Sequence, residues 1–299
     1  MALRVTQGML NTQLLRNLNG NMTRMEGLQD QLSTGRRINK PSDDPVGISF
    51  SMRYRSELDT NDQYKRNVDA TVSFLDYTDT MLDQTGSVMQ RARELAVAAA
   101  NGTNSEDSLN AMKTEIDQLY GQMVNIGNSQ FNGKYVFNGQ ITDKAPFPDA
   151  DNAANAVTDN GEIKFEIGAG VQIAMNKTAE QIFGTSGTTN NVFQILKDLS
   201  AALGSGDSAG IQKSIGLMDE RMSVVLGARS DVGAKTNRVQ LAEDRLSDIG
   251  INLQNLQSKT EDADMSLVIT NLKMEENVYQ ASLSAGSKVI VPTLVDFLR

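Results

Sequence analysis

From Leu14 onward apolar side chains recur every three or four residues. Leu14, Leu18, Met22, Met25, Leu28 and Leu32 form the stripe of an amphipathic helix that ends near Gly35. A second stripe, Val68, Thr71, Leu75, Thr78, Leu82, Thr85, Met89, Ala92, Ala96 and Ala99, alternates steps of three and four without a break, which is a heptad repeat. Asn101-Gly102 stops it. Thr103-Asn104-Ser105-Glu106 then has the spacing of a capping box, and Leu109, Met112, Ile116, Leu119, Met123 and Ile126 restart the repeat. Two adjacent antiparallel helices are predicted.

Between residues 131 and 188 the period changes. "KYVFNG", "GEIKFEIG" and "VQIAMN" alternate as strands between the turn pairs Asn132-Gly133, Asn138-Gly139 and Asn160-Gly161, which predicts a small β insert. Pro146, Pro148 and "DADNAANAVTDNG" mark its least regular and most exposed part. Helical spacing returns at Val192, Leu196, Leu199 and Leu203, breaks at "GSGDSAG", and runs from Ile211 to Met274 in steps of three and four. An unbroken helix over that run, from about 209 to 286, would be on the order of 110 Å long.

The expected fold is therefore mostly α: an elongated helical coiled-coil bundle formed by N- and C-terminal segments, with a central β insert. It divides into a terminal helical domain (1–40 with 260–299), a coiled-coil rod (41–130 with 191–259) and the insert (131–190).

Composition narrows the chemistry. The chain of 299 residues has 39% hydrophobic residues but only 5% aromatics, with 14 Met and no Trp, a set suited to helix–helix seams. Without Cys or His it lacks disulfides, thiolates, imidazole bases and the commonest zinc ligands, so neither an enzyme nor a metal or cofactor site is expected. A net charge of −9 argues against nucleic acid as partner. "MALRVTQGMLNTQLLRNLNG" has no apolar core long enough for a cleavable signal peptide, and no window approaches a membrane span of roughly 18 apolar residues. A membrane partner is not expected.

Two motifs with possible chemistry read better as structure. Gly168-Ala169-Gly170 lacks the third glycine of a phosphate loop and sits between alternating runs, so it predicts a hairpin turn. Asp149-Ala150-Asp151-Asn152 begins like a calcium loop but lacks the glycine and the twelfth-position glutamate. The densest cluster of charge, "STGRRINKPSDDPVGIS", lies between two helices. Gly35 can end the first in a left-handed conformation. Pro41 and Pro45 forbid a helix through the joint, Asp44 is the expected N-cap of the next helix, and Asp43 and Asp44 are expected at its positive end. Arg36 and Arg37 then pair with those carboxylates or reach another chain.

"LSTGRRINKPSDDPVG", "NGTNS" at 101–105 and Phe131-Asn132-Gly133-Lys134 resemble bacterial flagellins and their relatives. Tyr135-x-Phe137-x-Gly139, the start "RVTQGMLNTQLLRNL" and the end "SKVIVPTLVDFLR" are similar to the branch of that family that joins hook to filament. Filament flagellins more often approach an "LLR" end through a glutamine-rich stretch. The resemblance covers nearly the whole chain apart from residues 140–190.

The resemblance implies a structural subunit of the bacterial flagellum that forms the hook–filament junction by helical head-to-tail self-assembly, with a short filament flagellin as the alternative. It implies an inner domain made by the two terminal helices, disordered in the monomer, and an outward-facing insert. Leu14, Leu18, Met22, Met25, Leu28 and Leu32 are expected to meet Leu267, Met274 and Val278 and neighbouring subunits. It further implies export through the hollow flagellum by the type III apparatus, to the extracellular flagellum. The implied partners are another hook-associated protein on the hook side, flagellin on the filament side, and an export chaperone at the C-terminal segment. A third reading, a glycan- or receptor-binding module in the insert, is opposed by the insert's shortness and lack of an aromatic platform.

Overall fold

The protein is described here from a computed structural model covering residues 7–101 and 104–289. The motifs at residues 4–6 and 290–299, and Thr103 of the expected capping box, lie outside the described residues. So do the outermost parts of the segments expected to be disordered in the monomer. In chain order the elements are α1 (Gln7–Thr34), α2 (Pro45–Ala99), α3 (Glu106–Gly127), β1 (Gln130–Phe131), β2 (Lys134–Tyr135), a 3₁₀ helix (Ala150–Asn155), β3 (Lys164–Gly168), β4 (Val171–Ala174), α4 (Ala179–Phe183), α5 (Val192–Ser205), α6 (Ser208–Glu261) and α7 (Met265–Val289). They form two compact units, one of residues up to Thr60 together with those from Ile249, the other Asn61–Asp248.

The central unit, Asn61–Asp248, holds the main hydrophobic core. Every residue of the heptad stripe from Val68 to Ala99 is buried, including Thr71, Thr78 and Thr85. Those threonines cost little because each hydroxyl donates to the carbonyl four residues earlier, at 2.7 to 2.8 Å. Asn104 Nδ2 donates to the Ala98 carbonyl at 2.8 Å, satisfying the end of α2. The cap of α3 is Ser105, whose Oγ accepts from the Ser108 amide at 3.3 Å, so it falls later than a box built on Thr103.

In the first half of α6, up to Val232, the buried positions are Ile211, Ser214, Met218, Arg221, Val225, Ala228 and Val232. Three of them differ from the expected stripe, where Ile215, Met222 and Arg229 stand. Small side chains at Ser214 and Ala228 let the helices approach, while the bulkier neighbours move to the rim.

The insert consists of two antiparallel hairpins, β1–β2 and β3–β4. Gly170, at φ +70°, turns the second, and Asn67 Nδ2 ties the hairpin to α2 by donating to the Glu166 carbonyl at 2.8 Å. The segment expected to be most exposed is only partly so. Asp149 caps the 3₁₀ helix by accepting from the Asp151 amide, and Ala153, Ala154 and Phe147 are buried. Phe147 packs edge-on against Phe183 and tilted against Phe193, at centroid distances of 5.6 and 4.5 Å, a long-range contact that no local turn signal announces.

In the other unit α1 packs against α7. The helix expected to run unbroken to residue 286 is instead interrupted at Asp262–Asp264, between α6 and α7. Asp264 restarts it as a cap, its Oδ1 accepting from the Ser266 and Leu267 amides at 3.0 and 3.2 Å. The break also changes which face of α7 meets α1. Val268 and Leu272 are buried, whereas Leu267, Met274 and Val278, expected to meet α1, are 59%, 55% and 42% exposed. On α1 the buried polar Asn21 takes the place expected for Met22, which is 53% exposed, while Leu14, Leu18, Met25, Leu28 and Leu32 are half-buried.

The α1/α7 seam is accordingly polar and close. Asn21 Nδ2 donates to Ser282 Oγ at 3.4 Å, and Arg24 pairs with Glu275 at 2.9 Å. A Cβ on Gly286 would lie 2.7 Å from Leu14 Cδ2, so glycine at 286 leaves room for the Leu14 side chain against α7. Besides Val268 and Leu272, the only buried apolar side chain among the described residues of this unit is Ile38.

Candidate functional site

The residues singled out between the first two helices converge on the break in the C-terminal helix. Gly35, at φ +71°, ends α1 with its amide donating to the Gln31 carbonyl at 2.9 Å. Its own carbonyl accepts from the Ala263 amide at 3.0 Å, and the Arg37 amide donates to the Glu261 carbonyl at 2.6 Å. Arg36 thus forms an antiparallel bridge with Asp262. The chain leaving α1 supplies hydrogen bonds that the interrupted helix cannot make for itself.

Pro41 lies in the turn whose Asp43 amide donates to the Lys40 carbonyl at 2.9 Å. Pro45 is the first residue of α2, where a missing N–H costs nothing, and Asp44 Oδ1 accepts from the Gly47 amide at 2.8 Å. That bond, opposed by partial desolvation and helped by Arg37, holds the Asp44 carboxyl below the usual range. Asp43 does not share this role. Its Oδ2 turns back to accept from the Asn39 and Lys40 amides, at 3.0 and 2.8 Å, and so braces the turn rather than the helix end.

The arginines part company as well. Arg37 Nη2 lies 3.5 Å from Asp44 Oδ2 and donates to the Thr260 carbonyl at 3.0 Å. Arg36 Nε lies 3.4 Å from Glu261 Oε2. Glu261, only 1% exposed, is the hub that sequence periodicity did not single out. Arg55 holds it with two bonds, Nε to Oε1 at 2.9 Å and Nη2 to Oε2 at 2.6 Å, Gln257 donates at 3.3 Å, and Ser51 Oγ also bonds to Oε1. Burial pushes the Glu261 pKa up, but the bonds from Arg55, Ser51 and Gln257 and the Arg55 charge outweigh it, leaving the carboxyl below its ordinary value.

Gly47 and Ile38 complete the joint. A Cβ at Gly47 would fall 2.6 Å from Ile38 Cδ1 and 2.5 Å from Asp44 Oδ2, so only glycine lets α2 begin against that side chain. Ser51 and Arg55 lie one and two turns further along α2, a spacing of four that could have flagged a polar helix face. Glu261 carried no such signal, because its partners Ser51 and Arg55 lie 210 and 206 residues away in sequence.

The joint has the chemistry of a latch: one buried carboxylate, three arginines and a backbone bridge that fix where α1 ends, α2 begins and α6 gives way to α7. Heptad helices drawn from both ends of the chain and held in this way define a coiled-coil type of structural protein. The family model of the bacterial flagellin N-terminal helical region matches residues 5–142, and that of the bacterial flagellin C-terminal helical region matches residues 215–298. Flagellin FlaB1 of Treponema pallidum (strain Nichols) is 30% identical over 274 residues, covering 90% of this chain and 91% of its own. The chain belongs to the bacterial flagellin family. Flagellar hook-associated protein 3 of Escherichia coli (strain K12) is 26% identical over 305 residues, covering 95% of this chain and 96% of its own. A solved structure described as a flagellar hook-associated protein from Vibrio parahaemolyticus shares the fold, with a TM-score of 0.68 at 23% identity over 74% of this chain and 100% of that one.

Proposed function

We propose that the protein is a structural subunit of the bacterial flagellum that forms the junction between hook and filament by helical, head-to-tail self-assembly. The observation that carries this reading is the imbalance of the α1/α7 unit. Among the described residues its buried apolar side chains are Ile38, Val268 and Leu272, while Leu15, Met22, Leu267, Ile269, Met274 and Val278 stand exposed on α1 and α7. Burying one such side chain is worth about 1.5–3 kcal/mol, so covering these faces with other copies offsets the ordering of a weakly cored pair.

In this reading residues 1–40 and 260–299 form the inner assembly domain, 41–130 and 191–259 the rod, and 131–190 the outward insert. Leu14, Leu18, Met25, Leu28 and Leu32 support the pairing of α1 with α7, while Met22, Leu267, Met274 and Val278 face neighbouring subunits. The latch at Gly35, Arg36, Arg37, Pro41, Asp43, Asp44 and Pro45 sets the geometry in which those faces are presented. A heterologous contact of this kind propagates where an isologous one would close into a dimer.

The junction is favoured over a filament subunit by the nearly end-to-end correspondence with hook-associated protein 3 and by Tyr135-x-Phe137-x-Gly139 at the entry to the insert. The partners are then another hook-associated protein, flagellin and an export chaperone, and the site of action is the extracellular flagellum, reached through the type III apparatus. Deleting the gene and imaging cells by electron microscopy tests the reading. Intact hooks without filaments, with flagellin released to the medium, are expected. Filaments of normal length refute the junction role, and loss of filaments with flagellin-free medium favours the filament subunit.

A further inference from the structure

Exposure divides the sulfur of the chain between its two units. All of that sulfur is thioether, from 14 Met with no Cys. In the unit built on α1 and α7, Met9, Met22, Met52, Met265 and Met274 are 39 to 64% exposed, and Met25 is half-buried. In the central unit Met81, Met89, Met123, Met175 and Met218 are buried, Met112 and Met222 are half-buried, and none is exposed. The Met81 sulfur is further engaged as an acceptor from Ser129 Oγ at 3.0 Å.

That division decides where a two-electron oxidant such as hydrogen peroxide acts. A cysteine thiolate would react first, but the sequence has none, and thioether oxidation follows exposure. Met22 and Met274 are the two whose position gives the reaction a consequence. Met22 follows Asn21 and Met274 precedes Glu275, and both of those neighbours bond across the α1/α7 seam, Asn21 to Ser282 at 3.4 Å and Glu275 to Arg24 at 2.9 Å. The two thioethers therefore border the seam without entering it. Each shares its outward stripe with another exposed apolar side chain, Leu15 one heptad before Met22 and Leu267 one heptad before Met274.

We propose that Met22 and Met274 are oxidation sites through which hydrogen peroxide stops assembly of the free chain. The sulfur lone pair attacks one peroxide oxygen, and the O–O bond breaks as the S–O bond forms. The attacked oxygen passes its proton to the other, which leaves as water; the sulfur loses two electrons, the peroxide gains them, and the thioether becomes a sulfoxide. The loss of assembly rests on the flagellar reading, whereas the oxidation itself does not. A sulfoxide oxygen is a polar acceptor, so covering that stripe with another copy buries it without a partner and opposes the contact. In the free chain the same oxygen stays in water, and the seam bonds beside it are kept.

The test treats the full-length free chain with hydrogen peroxide, quenches the reaction, and compares wild type with the double variant Met22→Leu, Met274→Leu. Peptide mapping by mass spectrometry is expected to find sulfoxide at Met22 and Met274 while Met89, Met123 and Met218 stay thioethers, with the circular dichroism spectrum unchanged. Sulfoxide spread evenly over both units overturns the sites. Polymerisation, followed by light scattering, is expected to be lost in oxidised wild type and kept in the oxidised leucine variant, because leucine fills the same stripe without a sulfur. Equal loss in both proteins, or loss in neither, overturns the role of these two residues. Where the leucine variant assembles poorly even untreated, methionine sulfoxide reductase acting on oxidised wild type makes the decision: restored assembly supports the proposal and unrestored assembly overturns it. Untreated wild type that does not polymerise counts against the flagellar reading, and the peptide map then upholds or overturns the oxidation sites by itself.

Discussion

Glu261 shows how one side chain can hold an interrupted helix in place. Its carboxylate is buried, and it stays ionised because Arg55 meets it with a bidentate pair while Ser51 and Gln257 fill its remaining acceptor sites. The folded pKa lies below the ordinary glutamate value, which the carboxyl regains on unfolding. Its contribution is therefore complete above the ordinary glutamate range and is lost as pH falls through the depressed folded value. We expect Glu261→Gln to lower the stability of the α1/α7 unit at neutral pH by about 1–3 kcal/mol, the cost of weakened bonds to a buried group. The variant should also lose the part of the acid transition that belongs to this carboxyl. Circular dichroism across an acid titration reads both, and an unchanged acid midpoint together with unchanged neutral stability would remove Glu261 as the hub.

Helix α7 carries two faces with different duties. Val268 and Leu272 point into the seam with α1, and Leu272→Ala should cost about 2–5 kcal/mol if the seam packs as an ordinary core. Leu267, Met274 and Val278 lie on the other face and are exposed, so changing each to Ser should move monomer stability by no more than about 0.5 kcal/mol. The same triple variant should fail to polymerise in vitro, as followed by light scattering and electron microscopy. Normal polymers from it would remove this stripe from the assembly interface. α2 gives the contrast: its whole heptad stripe is already covered within the chain, including the threonines that bond back to their own helix.

At the level of the full chain, core is distributed unevenly. The phenylalanine cluster and the heptad stripes of α2, α3, α5 and α6 are buried together in the unit Asn61–Asp248, whereas the unit built on α1 and α7 relies on a thin, polar seam and the Glu261 latch. Stability should therefore be graded within one chain. Hydrogen exchange of the free protein is expected to show amides of residues 7–60 and 249–289 exchanging well before those of 61–248. Uniform protection across both units would contradict this, and with it the idea that assembly completes a core the monomer lacks.

Local pattern was sufficient for α1, for the heptads of α2, α3 and α5, for the hairpin at Gly168–Gly170 and for the stop and start at Gly35, Asp44 and Pro45, because each depends on neighbours within a turn or two. It also carried the family, through motifs that are contiguous in the chain. It could not find the break at Asp262–Asp264, since nothing in the periodicity there differs from the helix around it. That break exists because Gly35 and Arg37 offer backbone partners and Arg55 offers a counter-charge, all distant in sequence. For the same reason it did not tell which face of α7 meets α1, and it placed Met222 rather than Arg221 in the core of α6. A helix displays its apolar residues in the sequence itself, but which side is covered, and which polar group is trapped beneath it, is decided only when a second helix arrives at a particular distance and register.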